Sequence, residues 1–347
     1  MSTSTYSDWS SHRLLDRLAE IRTTRVRLPV QVSLIGQVLV QRGELNKDSD
    51  QAWTVKEQVA LASIESGQLS LASVLVDRLA SRFPTSPRVL VLQGQLLEAQ
   101  GHLVRARQLY EERIAEVETD TLARKRLIAL HLSVPLSASS FGSTRGSSSE
   151  LDAHGLSRQR GIDLLVDYLE TYYIDAEGWI LLAKSYAELG LYAQSLSSLS
   201  HAVLLHPQNP FLLLLRAETA YTLRDYPTSW KEYMRVIEMA TDTGKDGKVK
   251  RGQAVRGVAR RAAFGAKMCI PHLRSSTLPK PSSASSASAS LEPSLAPSHL
   301  DELDLVLTKL ILASHETSKD GAGRTKAAGL DAVRKWLGGD EASGPKR

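Results

Sequence analysis

Residues Ala176–Asn209, AEGWILLAKSYAELGLYAQSLSSLSHAVLLHPQN, run without a gap into Pro210–Thr243, PFLLLLRAETAYTLRDYPTSWKEYMRVIEMATDT. The two blocks are equal in length, with a period of 34, and they agree position by position. Ala183 matches Ala217, Tyr192 matches Tyr226, Ser195 matches Ser229 and Leu199 matches Tyr233. The same period appears nearer the start, where Trp53–Ser86 is followed by Pro87–Asp120. There Ala60 matches Gly94, Gly67 matches Gly101, Leu69 matches Leu103 and Ala72 matches Ala106, and Pro84 and Pro207 fall at one phase. Apolar spacing within a block predicts two amphipathic helices and a short turn. Small residues (Ala60, Gly94, Ala183 and Ala217 on the first helix, Ala72 and Ala106 on the second) let the pair approach closely. Gly67 and Gly101 suit a turn with positive φ, Leu69, Leu103, Tyr192 and Tyr226 open second helices, and proline ends them.

A further block is interrupted. Its first helix is expected over Leu122–Leu132 and its second over Arg158–Tyr172. Asp120 and Asp175 close successive blocks but stand further apart than one period, and the excess falls in the Ser/Gly-rich run PLSASSFGSTRGSSSELDAHG at 135–155. That composition buries too little apolar surface to fold, so it reads as a surface loop inserted at a turn. Five in-phase units, with Trp179, Leu182, Ala183, Tyr186, Ala202 and Pro207 in the fourth, carry the tetratricopeptide-repeat pattern. The expected fold is an all-α solenoid of about five to six helix pairs with capping helices at both ends.

The flanks divide by composition. Residues 1–52 hold two expected capping helices, Trp9–Ile21 and Val30–Gln41, ahead of the five repeats over 53–243 with their insert at about 134–155. Residues 244–270 form a basic segment and a partial sixth repeat beginning near Val255, with Gly265 in its small-residue slot. Residues 271–299 read as a disordered Ser/Pro-rich linker and 300–347 as C-terminal helices and tail, with Leu300, Leu303, Leu307, Leu310 and Ile311 at helical spacing. A last short helix is expected over Ala327–Leu337.

Composition narrows the function classes. The chain has 347 residues, 42% hydrophobic and 23% charged, which excludes a wholly disordered or disulfide-stapled scaffold. One cysteine, Cys269, allows neither an internal disulfide nor a cysteine-based zinc site, and fits a reducing compartment. No apolar run approaches the ~20 residues of a membrane span, and the opening MSTSTYSDWSSHRLLDRL lacks the pattern of a secretory signal. Net charge is +5, yet Gly244–Arg274 carries nine Lys/Arg against the single acid Asp246, so the remainder sums to −3. A basic patch of Lys248, Lys250, Arg251, Arg256, Arg260 and Arg261 could meet anionic lipid, nucleic acid or an acidic protein surface. No phosphate-binding loop, H-E-x-x-H or G-x-S-x-G occurs, and His201 and His206, five apart, make a poor metal pair. Neither catalytic residues, a metal site nor a cofactor are expected.

The order of the pieces resembles the subunit 2 family of the endoplasmic reticulum membrane protein complex. The resemblance rests on Trp53-Thr-Val with Glu57-Gln58-Val59, Leu79–Pro84, Glu98-Ala99, Ala106–Tyr110 and Thr121–Arg126. It continues through Tyr168-Leu169-Glu170, Glu177 with Trp179, Ala217-Glu218 with Tyr221-Thr222, and Arg261–Gly265, covering about residues 30–270. It implies a non-catalytic scaffold that sits on the cytosolic side of the endoplasmic reticulum membrane and is held there through other subunits. Such a scaffold would form a hetero-oligomer, support insertion of tail-anchored and multi-pass proteins, and bind no nucleic acid.

In a stack of helix pairs the first helices line the concave face. By phase, the candidate partner-binding positions are Glu57, Leu61, Arg88, Val91, Gln95, Glu98 and Lys125, then Ile180, Lys184, Glu188, Leu214, Glu218 and Tyr221. Ile64 shares the phase. Mixed charge with apolar members suits an amphipathic helix or an extended segment. Two other classes compete. A co-chaperone clamp would need asparagine and lysine on the first helices, but only Asn46 and Asn209 occur, neither on such a helix. A lipid or nucleic-acid binder would use the basic patch and lose affinity with salt.

Overall fold

The computed structural model describes residues 4–135, 155–240, 257–275, 297–316 and 330–337. Among these, all regular structure is helical. The described residues form two compact units, one of 4–135 with 155–171 and the other of those from 172 onward.

The first unit begins with α1 (Ser4–Ser7), α2 (Ser11–Thr24), α3 (Pro29–Gln41) and a 3-10 turn at Glu44–Asn46. The pairs α4 (Asp50–Glu65) with α5 (Leu69–Arg82) and α6 (Pro87–Ala99) with α7 (Leu103–Glu116) follow, then α8 (Thr121–Leu132) and α9 (Arg158–Thr171). α2 and α3 cap α4: Leu14, Leu18, Ile21, Ile35 and Leu39 are buried in one cluster with Val55, Val59 and Leu75. Arg22 Nη1 donates to Gln58 Oε1 at 2.9 Å, and Gln58 Nε2 donates to the Leu18 carbonyl at 3.2 Å.

The second unit holds α10 (Ala176–Glu188) with α11 (Tyr192–Leu205), α12 (Pro210–Thr222) with α13 (Tyr226–Ala240), then α14 (Val258–Ser275), α15 (Pro297–Glu316) and α16 (Leu330–Trp336). Its core joins Ala217, Trp230, Tyr233 and Val236 to Ala262, Ala266, Cys269 and Ile270, and on to Leu307 and Ile311.

The repeat is visible in the helix starts. α6 and α8, and α10 and α12, begin one full period apart, as do α5 and α7, and α9, α11 and α13. The residue closing one block caps the next first helix. Asp120 accepts from Leu122 and Ala123 at 3.1 Å, Asp175 from Gly178 at 3.3 Å and Asn209 from Phe211 at 3.0 Å. Turn positions take positive φ at Gly67, Gly101 and Gly190, and Arg224 holds the same conformation at φ 64 without being glycine.

Small residues mark close crossings. A Cβ at Gly94 would lie 2.3 Å from the Tyr110 ring, and one at Gly265 would lie 2.3 Å from the Tyr233 ring. Tyr110 and Tyr233 occupy one phase of the repeat, so this aromatic position serves both neighbours: Tyr110 meets the first helix of its own block, and Tyr233 meets α14, the helix that follows.

Residues 136–154, most of the Ser/Gly-rich insert, lie outside the described residues, but their flanks are fastened together. Arg158 Nη1 donates to the carbonyls of Leu132 at 2.9 Å and Val134 at 3.2 Å, and Arg107 Nη1 donates to the Gly155 carbonyl at 2.8 Å. The Ser157 amide donates to Nδ1 of buried His131 at 3.2 Å. Leu156, fully buried, joins Ala106, Tyr110 and Leu127.

One expectation needs correction. The linker was expected to begin at residue 271, but the helix of the sixth repeat continues through Pro271 to Ser275. Packing outweighs the proline there: Ile270 is buried, Leu273 joins the core, and His272 stacks on Tyr226 with ring centroids 4.1 Å apart. The final helix spans Leu330–Trp336; residues 327–329, where it was expected to begin, lie outside the described residues. So do residues 276–296, the bulk of the expected linker.

Candidate partner interface

The predicted interface residues fall on the first helices of the two units, and the two sets are taken separately. In the first unit, α4 presents Glu57, half-buried, and Leu61, 40% exposed. Arg88 reaches back from α6 to pair with Glu57 at 2.7 Å. Val91 and Gln95 on α6 are half-buried, and Gln95 Oε1 is enclosed without a hydrogen-bond partner among the described residues. A buried acceptor in that state is uncommon and costs stability. Glu98 is committed internally: it accepts from the Tyr110 hydroxyl at 2.7 Å and pairs with Arg126 of α8. Burial, with Glu98 beside it, pushes the Tyr110 phenol well above its usual range. Lys125 is exposed, its Nζ 5.7 Å from the Tyr168 ring centroid.

In the second unit, Ile180 is half-buried, and exposed Lys184 lies 3.9 Å from Glu188 one turn on. Leu214 departs from expectation. It is only 3% exposed, because Leu212, Leu213 and Leu214 are all buried on α12, so it packs in the core and lines no face. Glu218 is bound by Arg261 of α14 through two hydrogen bonds, 2.5 and 2.7 Å. Tyr221 is half-buried, its ring edge-on to Tyr226 at 5.5 Å.

The basic patch is changed by this pairing. Arg261 is spent on Glu218, and Arg260 is half-buried. Lys248, Lys250, Arg251 and Arg256 lie outside the described residues. His201, half of the weak histidine pair, stacks on Trp179 with centroids 4.4 Å apart. No group of three or more His, Cys, Asp or Glu side chains able to hold a metal ion occurs among the described residues. Among them, too, no helix is long and apolar enough to cross a membrane.

Sequence reasoning missed several exposed apolar side chains on these same helices. Phe211, 62% exposed, and Leu215 stand one turn apart on α12, Leu181 is exposed on α10 and Leu122 on α8. A signal existed. Leu122 and Phe211 occupy the second position of their blocks, the one Arg88 holds in its own, and Leu181 and Leu215 the sixth, next to Ile180 and Leu214. With Leu61 they give the first helices apolar contact surface beside Arg88, Lys125 and Lys184, a combination suited to a protein partner.

No protein-family model matches the chain. TPR repeat protein oca3 of Schizosaccharomyces pombe is 29% identical over 204 residues, which are 57% of this chain and 65% of that protein. ER membrane protein complex subunit 2-A of Xenopus laevis is 29% identical over 234 residues, 67% of this chain and 71% of that protein. The same subunit from Dictyostelium discoideum is 25% identical over 235 residues, 67% of this chain and 66% of that protein. Among solved structures, the C-terminal part of a TPR repeat-containing protein from Cytophaga hutchinsonii matches with a TM-score of 0.51 at 14% identity, covering 88% of this chain and 96% of that one. The chain has the tetratricopeptide-repeat fold and is similar to proteins named subunit 2 of the ER membrane protein complex.

Proposed function

We propose that the chain is a non-catalytic scaffold subunit of the ER membrane protein complex, held on the cytosolic side of the membrane by its partner subunits. In this role its first-helix faces hold cytosolic segments of membrane-embedded subunits, and so support insertion of tail-anchored and multi-pass proteins. The observation that carries the reading is the similarity, across two thirds of the chain, to proteins named as subunit 2 of that complex. The exposed Leu61, Leu181, Phe211 and Leu215 support it, since they supply the apolar anchors a helix or extended segment needs.

The test uses side chains that hold nothing essential within the fold. Leu61→Asp and Phe211→Asp, each alone in the full chain, should leave the circular dichroism spectrum unchanged. Each should lower recovery of membrane subunits on a tagged chain at least severalfold. Unchanged recovery by both, with the fold intact, would remove these faces from the account. Glu218 is a poor choice, because its replacement also breaks the Arg261 pair.

A further inference from the structure

Wherever a first helix is joined to its second by a plain turn, the connection is short: 66–68, 100–102, 189–191 and 223–225. α14 and α15 are joined by the far longer run 276–296. Even so, α15 lies along α14 as the second helix of a pair does. Arg274, near the end of α14, pairs with Asp301 near the start of α15. Lys267, two turns earlier, meets Asp304 at 2.5 Å and donates to the Thr308 hydroxyl at 2.7 Å. The helices are therefore antiparallel. Ala263 and Ile270 share the stripe of Lys267 and Arg274, and on α15 the buried Leu300, Leu307 and Ile311 share that of Asp304.

α14 does not depend on α15 for its place. Its other contacts run to α12 and α13, with Gly265 against the Tyr233 ring, Arg261 on Glu218, Cys269 Sγ 3.6 Å from Ser229 Oγ and His272 stacked on Tyr226, and to α16, where Phe264 lies 5.2 Å from the Trp336 ring. Removing α15 leaves these intact and bares a stripe that is aliphatic in its centre and basic at Lys267 and Arg274.

We propose that this outer stripe of α14 is a docking surface for an amphipathic helix of a partner protein, one with two carboxylates a turn apart near its N-terminus and aliphatic side chains one and two turns further on, and that α15 occupies it in cis until such a helix displaces it. The partner's chemistry follows from the two cations and the aliphatic stripe they bracket. Being part of the same chain, α15 competes as an intramolecular ligand. Weak competitors therefore fail, and only a tight helix of the matching pattern wins. The inference does not depend on which complex the chain joins.

The probe is a labelled peptide of residues 297–316, added to the full chain and to full-length Asp301→Lys/Asp304→Lys, in which cis occupancy is weakened and the α14 stripe is unaltered. The peptide should bind the double variant at least tenfold more tightly than the parent. A peptide carrying the same two reversals should bind neither. Adding Lys267→Glu and Arg274→Glu to the double variant should restore the cis contact and reject the parent peptide again. Hydrogen exchange on the unaltered chain provides a reading free of variants, with α15 amides exchanging at least tenfold faster than those of α13 and α14. Equal peptide binding to parent and double variant, cooperative loss of the helices α12–α14 in the double variant, or equal protection of α14 and α15 would each overturn the proposal.

Discussion

Gly94 and Gly265 are the residues at which the repeat is most sharply tested. An alanine at an ordinary exposed helix site gains about 1 kcal/mol over glycine. At these two positions the added Cβ would enter the Tyr110 or Tyr233 ring, so Gly94→Ala and Gly265→Ala should each lose about 1–3 kcal/mol in chemical denaturation. A gain at either site would refute the close crossing. His131 gives a second residue-scale expectation. Its pKa is lowered by burial first, with Arg107 and Arg160 adding to the effect and Glu111 opposing it. The folded state thus favours neutral histidine, whose Nδ1 accepts the Ser157 amide. The unfolded chain takes up the proton near pH 6.5, so this contribution is complete above about 6.5 and is lost as pH falls below it. His131→Asn keeps an acceptor and removes the titration; its melting temperature should fall less than the parent's between pH 7.5 and 5.5. Equal slopes would exclude the residue. Position-by-position reading of the sequence found the small residues because the period aligned them. It could not find the His131 contact, which joins residues 26 apart across an insert that hides the phase.

At the scale of elements, the helices were legible to within a few residues wherever the repeat phase or a capping side chain marked an end. α14 runs past the boundary expected at residue 270. Pro271 signals a helix end in sequence, but the turn that follows it is held by tertiary packing of Leu273 and His272, and packing is invisible to local rules. Leu214 failed for a related reason. A phase rule assigns one side of a helix to a face, whereas α12 buries consecutive residues between several neighbours. The pairing of Glu218 with Arg261 spans 43 residues and has no sequence signature. The insert offers an element-scale test. Its flanks are fastened by Arg158, Arg107 and His131, so the core should not need what lies between. Replacing 136–154 by a short Gly/Ser link shortens the closed loop about fourfold and should leave stability unchanged or raise it by about 1 kcal/mol. A cooperative loss of helicity would show that the insert contributes to the core.

At the scale of the whole molecule, what matters is the kind of surface the first helices of each unit offer. The first helices carry exposed aliphatic and aromatic side chains among charges, many of which are already paired within the chain, as with Glu57 and Arg88 or Glu218 and Arg261. A partner that docks there gains more from burying Leu61, Leu181, Phe211 or Leu215 than from meeting free charge. The fold was legible because a periodic pattern repeats within the one chain, and the relatives because an ordered set of short motifs runs along it, while overall identity to them is 25–29%. The exposed side chains of the candidate face were less so, since exposure depends on how each helix is flanked. The most direct measurement is purification of the tagged full chain from membranes dissolved in mild detergent, with mass spectrometry of what accompanies it in stoichiometric amount. The scaffold account predicts a constant set of membrane-spanning subunits of the endoplasmic reticulum, retained in high salt. A chain recovered alone in the soluble fraction, or accompanied only by chaperones or nucleic acid, would contradict it.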